Sequence, residues 1–374
     1  MNEQLFFTGD EFFPSLVRDI GKAKESIEVE TYIFANDSLG KEVLAALTAA
    51  AARGVRVRVL VDGAGSYEWN HFMVDQLEHA GGESRVFNPF PWKLWQISRS
   101  IVRPPSLSKA IYLLLRVNRR NHRKICLIDR KIVYLGSFNI SKNHVTQHGK
   151  VLGWRDTGVR LSDVNTTELV DAFETVWSGK QLNLKFIAYF KEVQLNPLFR
   201  LNNQRHRRKV LYKNLLQRLQ KSHRRIWITN AYFVPDIFLL RKLIKAARRG
   251  VDVRILLPHQ SDIAFMPWAS KMFYERLLSA GARIFEYLPT MLHAKTLIID
   301  NWMTIGSSNL NHRSLLHDLE VDYCVQSDAA KFELLQQFLI DLNYTREIKF
   351  CDLKVRPWYQ RIVGNILLYL RYFI

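Results

Sequence analysis

Two stretches of this chain repeat one spacing of imidazole, ammonium and carboxylate: His122-Arg-Lys124-x4-Asp129 and His293-Ala-Lys295-x4-Asp300. A Gly-Ser-x-Asn tail follows each at nearly the same distance, at Gly136–Asn139 and Gly306–Asn309. An imidazole is a nucleophile or proton carrier near neutral pH, and an ammonium offers fixed positive charge to a developing anion. Two of each outline a site for breaking a phosphodiester bond. Further along each half lies an acid, Asp156 and Glu320, 34 and 27 residues past the histidines. An imidazole that attacks phosphorus needs its other nitrogen on an acceptor, which sets the tautomer and steadies the charge that develops. Asp156 is therefore the expected partner of His122 and Glu320 of His293, with Asp318 a weaker rival. A single motif of this length arises easily by chance; two with matched tails and paired downstream acids do not.

The elements that must hold these residues repeat as well. Ser26-Ile-Glu-Val-Glu-Thr-Tyr32 alternates apolar and polar residues, an Ala/Leu-rich helical stretch runs from Gly40 to Arg53, and Gly54-Val-Arg-Val-Arg-Val-Leu-Val-Asp62 alternates again. The second half follows with Arg225-Ile-Trp-Ile-Thr-Asn-Ala-Tyr232, a helical stretch from Ile237 to Arg249 and a Gly250-led strand pattern. Period-two runs around a helix that ends at glycine spell a β-α-β unit. The expected fold is α/β: two pseudo-symmetric domains, each with a central mixed, mostly parallel sheet flanked by helices, and the active site at their interface. Within each motif the period-two rule places His and Lys on one face of a strand, and a tight turn follows at Asp129 and Asp300. The expected boundaries are 1–180 for the first domain, 181–209 for a basic linker, 210–350 for the second domain and 351–374 for an amphipathic aromatic tail.

Composition narrows the partners. A length of 374 residues suits a double domain, and 48% hydrophobic with 24% charged residues is a globular composition. The net charge of +19 draws the chain towards polyanions, either nucleic acid or an anionic membrane face. Three cysteines, Cys126, Cys324 and Cys351, lack metal-ligand spacing and suggest a reducing compartment. No secretory leader and no long apolar run is evident, so the expectation is a soluble protein or one attached to a membrane from one side.

The doubled His-x-Lys-x4-Asp motif, over nearly the whole chain, resembles the phospholipase D superfamily. That resemblance implies a phosphohistidine mechanism without metal or other cofactor: His122 as nucleophile, His293 as acid and base. It implies phosphate contacts from Lys124, Lys295, Asn139 and Asn309, with Ser137 and Ser307 beside them; Asp129 and Asp300 belong to the catalytic signature but are expected to secure the hairpin turns. Glu30-Thr-Tyr-Ile-Phe, Ala52-Arg-Gly-Val, Val61-Asp-Gly-Ala-Gly-Ser66, Asn230-Ala-Tyr-Phe-Val-Pro and Gly306-Ser-Ser-Asn-Leu-Asn-His-Arg-Ser314 resemble the bacterial cardiolipin synthases of the short type, without paired N-terminal membrane helices. Gly136-Ser-Phe-Asn139 departs from the Gly-Gly-x-Asn expected there. The implied reaction transfers a phosphatidyl group from phosphatidylglycerol to a second phosphatidylglycerol or another alcohol-bearing lipid. A hydrolytic phospholipase D is the alternative, and a nuclease a more distant one.

The halves are unequal in a way that favours lipid. Gly54 precedes His122 by 68 residues whereas Gly250 precedes His293 by 43, so the first half carries about 25 extra residues, spanning roughly 87–121. Between Glu83 and Asp129 there are ten Lys/Arg and no acid, interleaved with Phe87-Asn-Pro-Phe-Pro-Trp92 and Tyr112-Leu-Leu-Leu-Arg116. Basic charge among aromatic and aliphatic side chains suits a membrane interface. A nucleic-acid groove of similar composition is the competing reading. A second acid-free stretch from Val193 to Pro235 holds ten more basic residues. The tail from Pro357 is too short and interrupted to span a bilayer; it either lies in the interface or packs on the second domain. The expected partners are thus an anionic phospholipid surface and phosphatidylglycerol, without nucleic acid or an obligate protein partner, at the cytoplasmic face of the membrane.

Overall fold

Each half of the chain folds around its own β-α-β unit, and the capping residues show why. In the first, β2 (Ser26–Thr31) leads through the helix Ser38–Ala52 to β3 (Arg56–Asp62). The carboxylate of Asp37 accepts the Gly40 N–H at the helix start, and Gly54, at a φ of 89°, turns the chain after its end. In the second, β9 (Arg225–Thr229) leads through Ile237–Arg248 to β10 (Asp252–Pro258), with Asp236 capping the start and Gly250, at a φ of 86°, past the end. The computed structural model describes residues 1–90, 92–101, 118–147, 149, 151–179, 197–354 and 357–369. About half of the basic aromatic insertion (91 and 102–117), most of the expected linker (181–196) and the last residues of the tail lie outside these.

The first sheet adds β1 (Asn2–Phe6), β4 (Glu83–Phe87), β5 (Ile125–Ile128), β6 (Ile132–Gly136) and β7 (Gly158–Ser162), in the order β1-β7-β6-β5-β2-β3-β4. The second adds β8 (Phe199–Leu201), β11 (Arg283–Tyr287), β12 (Thr296–Ile299), β13 (Trp302–Gly306), β14 (Val321–Cys324) and β15 (Thr345–Glu347), in the order β15-β11-β10-β9-β12-β13-β14-β8. Both sheets are mixed. The expectation of mostly parallel strands does not hold: only β2-β3-β4 and β9-β10-β11 run parallel, and the other pairs are antiparallel. The tight turns that close each motif hairpin join antiparallel strands only, and those hairpins fill the middle of each sheet. Phe199–Leu201, inside the span expected as linker, pairs with β14 as an edge strand of the second sheet.

The two sheets face one another. Ile125, Leu127, Val133 and Val159 of the first pack in one apolar cluster with Trp227, Ile298, Ile305 and Val321 of the second. Separate clusters lie under the outer helices of each lobe. The layers therefore run helix, sheet, sheet, helix, and the motif strands lie on the inner pair. In the tail, the helix Trp358–Tyr369 turns Val363 and Leu367 onto the second lobe, and Gly364 approaches so closely that an added Cβ would stand 2.9 Å from Met272 Sδ. Among the described residues no helix is long and apolar enough to cross a membrane.

Candidate active site

The motif begins just before its strand rather than on it. His122 and Lys124 precede β5, His293 and Lys295 precede β12, and each hairpin carries the chain on to its Gly-Ser-x-Asn tail. Gly136 and Gly306 end the second strand of each hairpin where the next strand crosses closely. A Cβ on Gly136 would lie 2.4 Å from the Thr157 carbonyl oxygen, and one on Gly306 the same distance from that of Val321. Only glycine lets the chains approach this far.

The extended segments holding the histidines pair across the lobes. The His122 N–H donates to the Leu319 carbonyl at 2.9 Å, and the His293 N–H donates to that of Arg155 at 2.8 Å. Leu319 and Arg155 each immediately precede an acid. His122 Nδ1 is consequently 3.0 Å from Glu320 Oε2, and His293 Nδ1 is 2.8 Å from Asp156 Oδ1. The expected acids are present but the expected pairing is crossed: each histidine meets the carboxylate of the other half. Backbone bridges between Asn121 and Leu319, and between Arg155 and Leu292, impose that exchange.

Both carboxylates have further partners that the sequence reading missed. Asp156 Oδ2 accepts from His144 Nδ1 at 2.6 Å, while Glu320 accepts from the hydroxyls of Ser314, at 2.6 Å, and Ser307. His144 and Ser314 each stand five residues past the Asn of a Gly-Ser-x-Asn tail. Aligning the two copies beyond the motif could have found them. His144, Asp156 and His293 bring donor atoms of metal-ligating type within 4.8 Å of one another, but the two Nδ1–H groups donating to one carboxylate account for that closeness.

The remaining candidates separate into those at the cavity and those behind it. A cavity of about 410 Å³ is lined by His122, His293, Asn139 and Asn309, with Tyr32, Tyr232, Trp154, Arg120, Arg313, Asp262 and Asp318 among the other walls. Lys124 Nζ donates to the His122 carbonyl at 2.7 Å, and Lys295 Nζ to that of His293. Their ammoniums stand 5.3 and 5.8 Å from the ring centres of Tyr32 and Tyr232. The serines differ from expectation. Ser137 is fully buried with its hydroxyl on Thr157, and Ser307 spends its proton on Glu320, so both brace the next strand rather than line the cavity. Asp129 and Asp300 lie at the far end of their strands with φ near 50°. They accept the N–H groups of Lys24, Glu25 and Ser26, and of His223, Arg224 and Arg225. They tie each hairpin to the segment entering β2 or β9 and are absent from the cavity lining. Asp318, the weaker rival, instead accepts from the Arg120 N–H and from Arg313.

Burial shapes the electrostatics. It pushes His122 well below the ordinary imidazole value, aided by Lys124, Lys295 and Arg313, and it pushes His293 down with the help of Lys295. The His122 ring is therefore neutral, with Nδ1–H donating to Glu320 and Nε2 carrying the lone pair, whereas at His293 the charge and hydrogen bond of Asp156 oppose the push of burial and Lys295. Burial also brings Lys124 down to about 7 and Lys295 to about 8. The acids diverge: burial lifts Glu320 to about 7, whereas for Asp156 the imidazoles of His293 and His144 outweigh burial and hold it well below the usual carboxylate range.

A family model described as "Cardiolipin synthase, PLD-like domain" matches residues 16–177 and 215–342. The chain is 30% identical to the cardiolipin synthase of Clostridium perfringens (strain ATCC 13124), over 97% of its own length and 75% of that protein's. It is 32% identical to cardiolipin synthase B of Escherichia coli K12, over 86% of its length and 76% of that protein's. Among solved structures, the phosphatidylserine synthase of Haemophilus influenzae superposes with a TM-score of 0.72 at 14% identity, over 98% of this chain and 92% of that one. The polyphosphate kinase of Porphyromonas gingivalis superposes at 0.60 and 14% identity, covering 99% of this chain and 53% of that one. At such identities the two structures share a fold with this chain.

Proposed function

This chain belongs to the cardiolipin synthase family of the phospholipase D superfamily, and from that membership and the crossed histidine–acid pairs we propose a phosphatidyltransferase that works through a phosphohistidine. His122 Nε2 attacks the phosphorus of phosphatidylglycerol, and the bond from phosphorus to the glycerol oxygen breaks. That oxygen takes a proton from His293, and glycerol leaves. The hydroxyl of a second phosphatidylglycerol, or of another alcohol-bearing lipid, then returns a proton to His293 and attacks phosphorus, breaking the phosphorus–nitrogen bond and regenerating His122. Lys124, Lys295, Asn139 and Asn309 hold the charge that builds on the phosphoryl oxygens.

The roles of the two histidines follow from their acids. An acid–base histidine must hold a proton when substrate arrives, and Asp156, held ionised, stands behind His293 to favour the imidazolium. A phosphodiester anion beside the ring counters the push of Lys295. Glu320 steadies the positive charge that His122 acquires when it bonds to phosphorus.

Water resolving the same intermediate would make the enzyme a hydrolytic phospholipase D, and the relatives named cardiolipin synthase favour a lipid alcohol instead. The enzyme would act peripherally at the cytoplasmic face of the membrane, where a net charge of +19 meets anionic lipid. Lipid analysis after incubation with phosphatidylglycerol vesicles tests the proposal. Cardiolipin and glycerol are expected from the native protein and not from His122→Ala. Phosphatidic acid alone would convert the reading to hydrolysis, and cleavage of added DNA without lipid turnover would end it.

A further inference from the structure

Exposed apolar side chains stand in the cavity wall or within three residues of it along the chain, on both lobes. Tyr67 stands two residues past the cavity-lining Gly65 and is 66% exposed, with the Lys93 ammonium over its ring. Val151, which bridges to Gln147, and Leu152 are 62% and 61% exposed and stand three and two residues before Trp154, another cavity wall. On the second lobe, Phe265 lines the cavity while partly exposed, and it leads directly into the helix Met266–Lys271.

The tail helix Trp358–Tyr369 packs on Met266–Lys271 through one face, as the edge-on contact of Trp268 and Tyr359 shows. Its other face leaves Trp358, Ile362 and Ile366 in solvent at a spacing of four residues, which places them on one stripe. Isolated exposed apolar residues are ordinary; a collar of them on the segments that wall a polar cavity, with an apolar stripe on the helix packed beside Met266–Lys271, is a surface that awaits a partner.

We propose that this collar and the tail helix dock the enzyme mouth-down on an anionic lipid bilayer, so that a phospholipid headgroup enters the cavity while its acyl chains stay in the membrane. The inference rests on the phosphatidyltransferase reading, and three observations select the bilayer. Phe265 stands in the cavity wall itself, where a protein partner would obstruct the substrate. A tyrosine with a lysine on its face and a tryptophan at the start of the tail helix suit headgroup depth. The net positive charge complements anionic lipid.

Two double variants test the collar outside the catalytic machinery: Val151→Ser with Leu152→Ser, and Ile362→Ser with Ile366→Ser. Each is assayed for sedimentation with phosphatidylglycerol vesicles and for turnover of those vesicles. Turnover is also measured on short-chain phosphatidylglycerol dispersed below its micelle concentration. Loss of two apolar anchors is expected to lower vesicle binding and vesicle turnover about tenfold each. Turnover of the dispersed substrate stays at the native rate, which also reports an intact fold. Unchanged vesicle binding in both variants would overturn the docking surface, as would a change in oligomeric state without a change in vesicle binding. Failure of the native protein to turn over either lipid would refute the enzymatic reading instead, while the sedimentation result would still report on the surface.

Discussion

Glu320 and Asp156 stand in equivalent positions yet are unequal acids, because different side chains surround them. Two hydroxyls and one imidazole face Glu320, and burial lifts its carboxyl to about 7. Two imidazoles face Asp156, which remains ionised. Below about pH 7 Glu320 takes up a proton and can no longer steady a positive His122, so activity rises as pH increases through that value. Lys124, at about 7, loses its charge over the same range and Lys295, at about 8, follows, so activity falls on the alkaline side. A narrow bell-shaped profile of kcat/KM with its maximum near pH 7 is expected, its limbs belonging to the coupled site rather than to single residues. Glu320→Gln should cut kcat about a hundredfold or more and flatten the acid limb; an acid limb that persists unchanged in that variant would assign it to another group. Asp156→Asn should cost a similar factor and slow departure of the leaving alcohol, read as a dependence on the pKa of that alcohol.

At the scale of the hairpin, the motif combines two jobs that the sequence presents as one. Its histidine and lysine precede the strand, with the histidine in the cavity wall, while its aspartate sits at the other end beside the turn. Asp129 and Asp300 each gather three backbone N–H groups from the segment entering β2 or β9, tying the motif hairpin to the β-α-β unit beside it. Asp129→Ala or Asp300→Ala is expected to lower stability by about 1–3 kcal/mol, read from the urea midpoint at unchanged slope. The folded variant should keep kcat within about threefold of the native value; a loss comparable to that of His122→Ala would place these carboxylates in the chemistry after all. The mixed sheets have the same origin. Helical crossovers join the parallel strands, tight turns join the motif strands, and both kinds of connection were legible in the chain although their proportion was not.

For the whole molecule, the crossed pairs mean that neither lobe owns a working histidine. Each lobe contributes one histidine and the carboxylate that the other lobe's histidine requires, and the sheets meet along a shared apolar face. The single chain closes this site within itself. A mixture of His122→Ala and His293→Ala proteins should therefore show no more activity than either alone; recovery on mixing would mean that lobes exchange between chains. The excess of positive charge acts at the same scale, adding long-range attraction to an anionic surface whatever the local contacts.

The sequence alone determined the duplication, the identity of the histidines, lysines and acids, and the β-α-β units, because spacing and periodicity are properties of neighbours along the chain. It also placed Asp129 and Asp300 at the tight turns, although the N–H groups they bind lie 75 to 105 residues away along the chain. Only the tertiary structure decided which acid serves which histidine. Asp156 and Glu320 lie nearer in sequence to the histidines they do not touch, and bridges between the lobes, invisible to any local pattern, brought them to the others. The same folding placed His144 and Ser314 on the acids and turned Ser137 and Ser307 away from the cavity, because burial and hydrogen-bond partners are settled by what packs opposite.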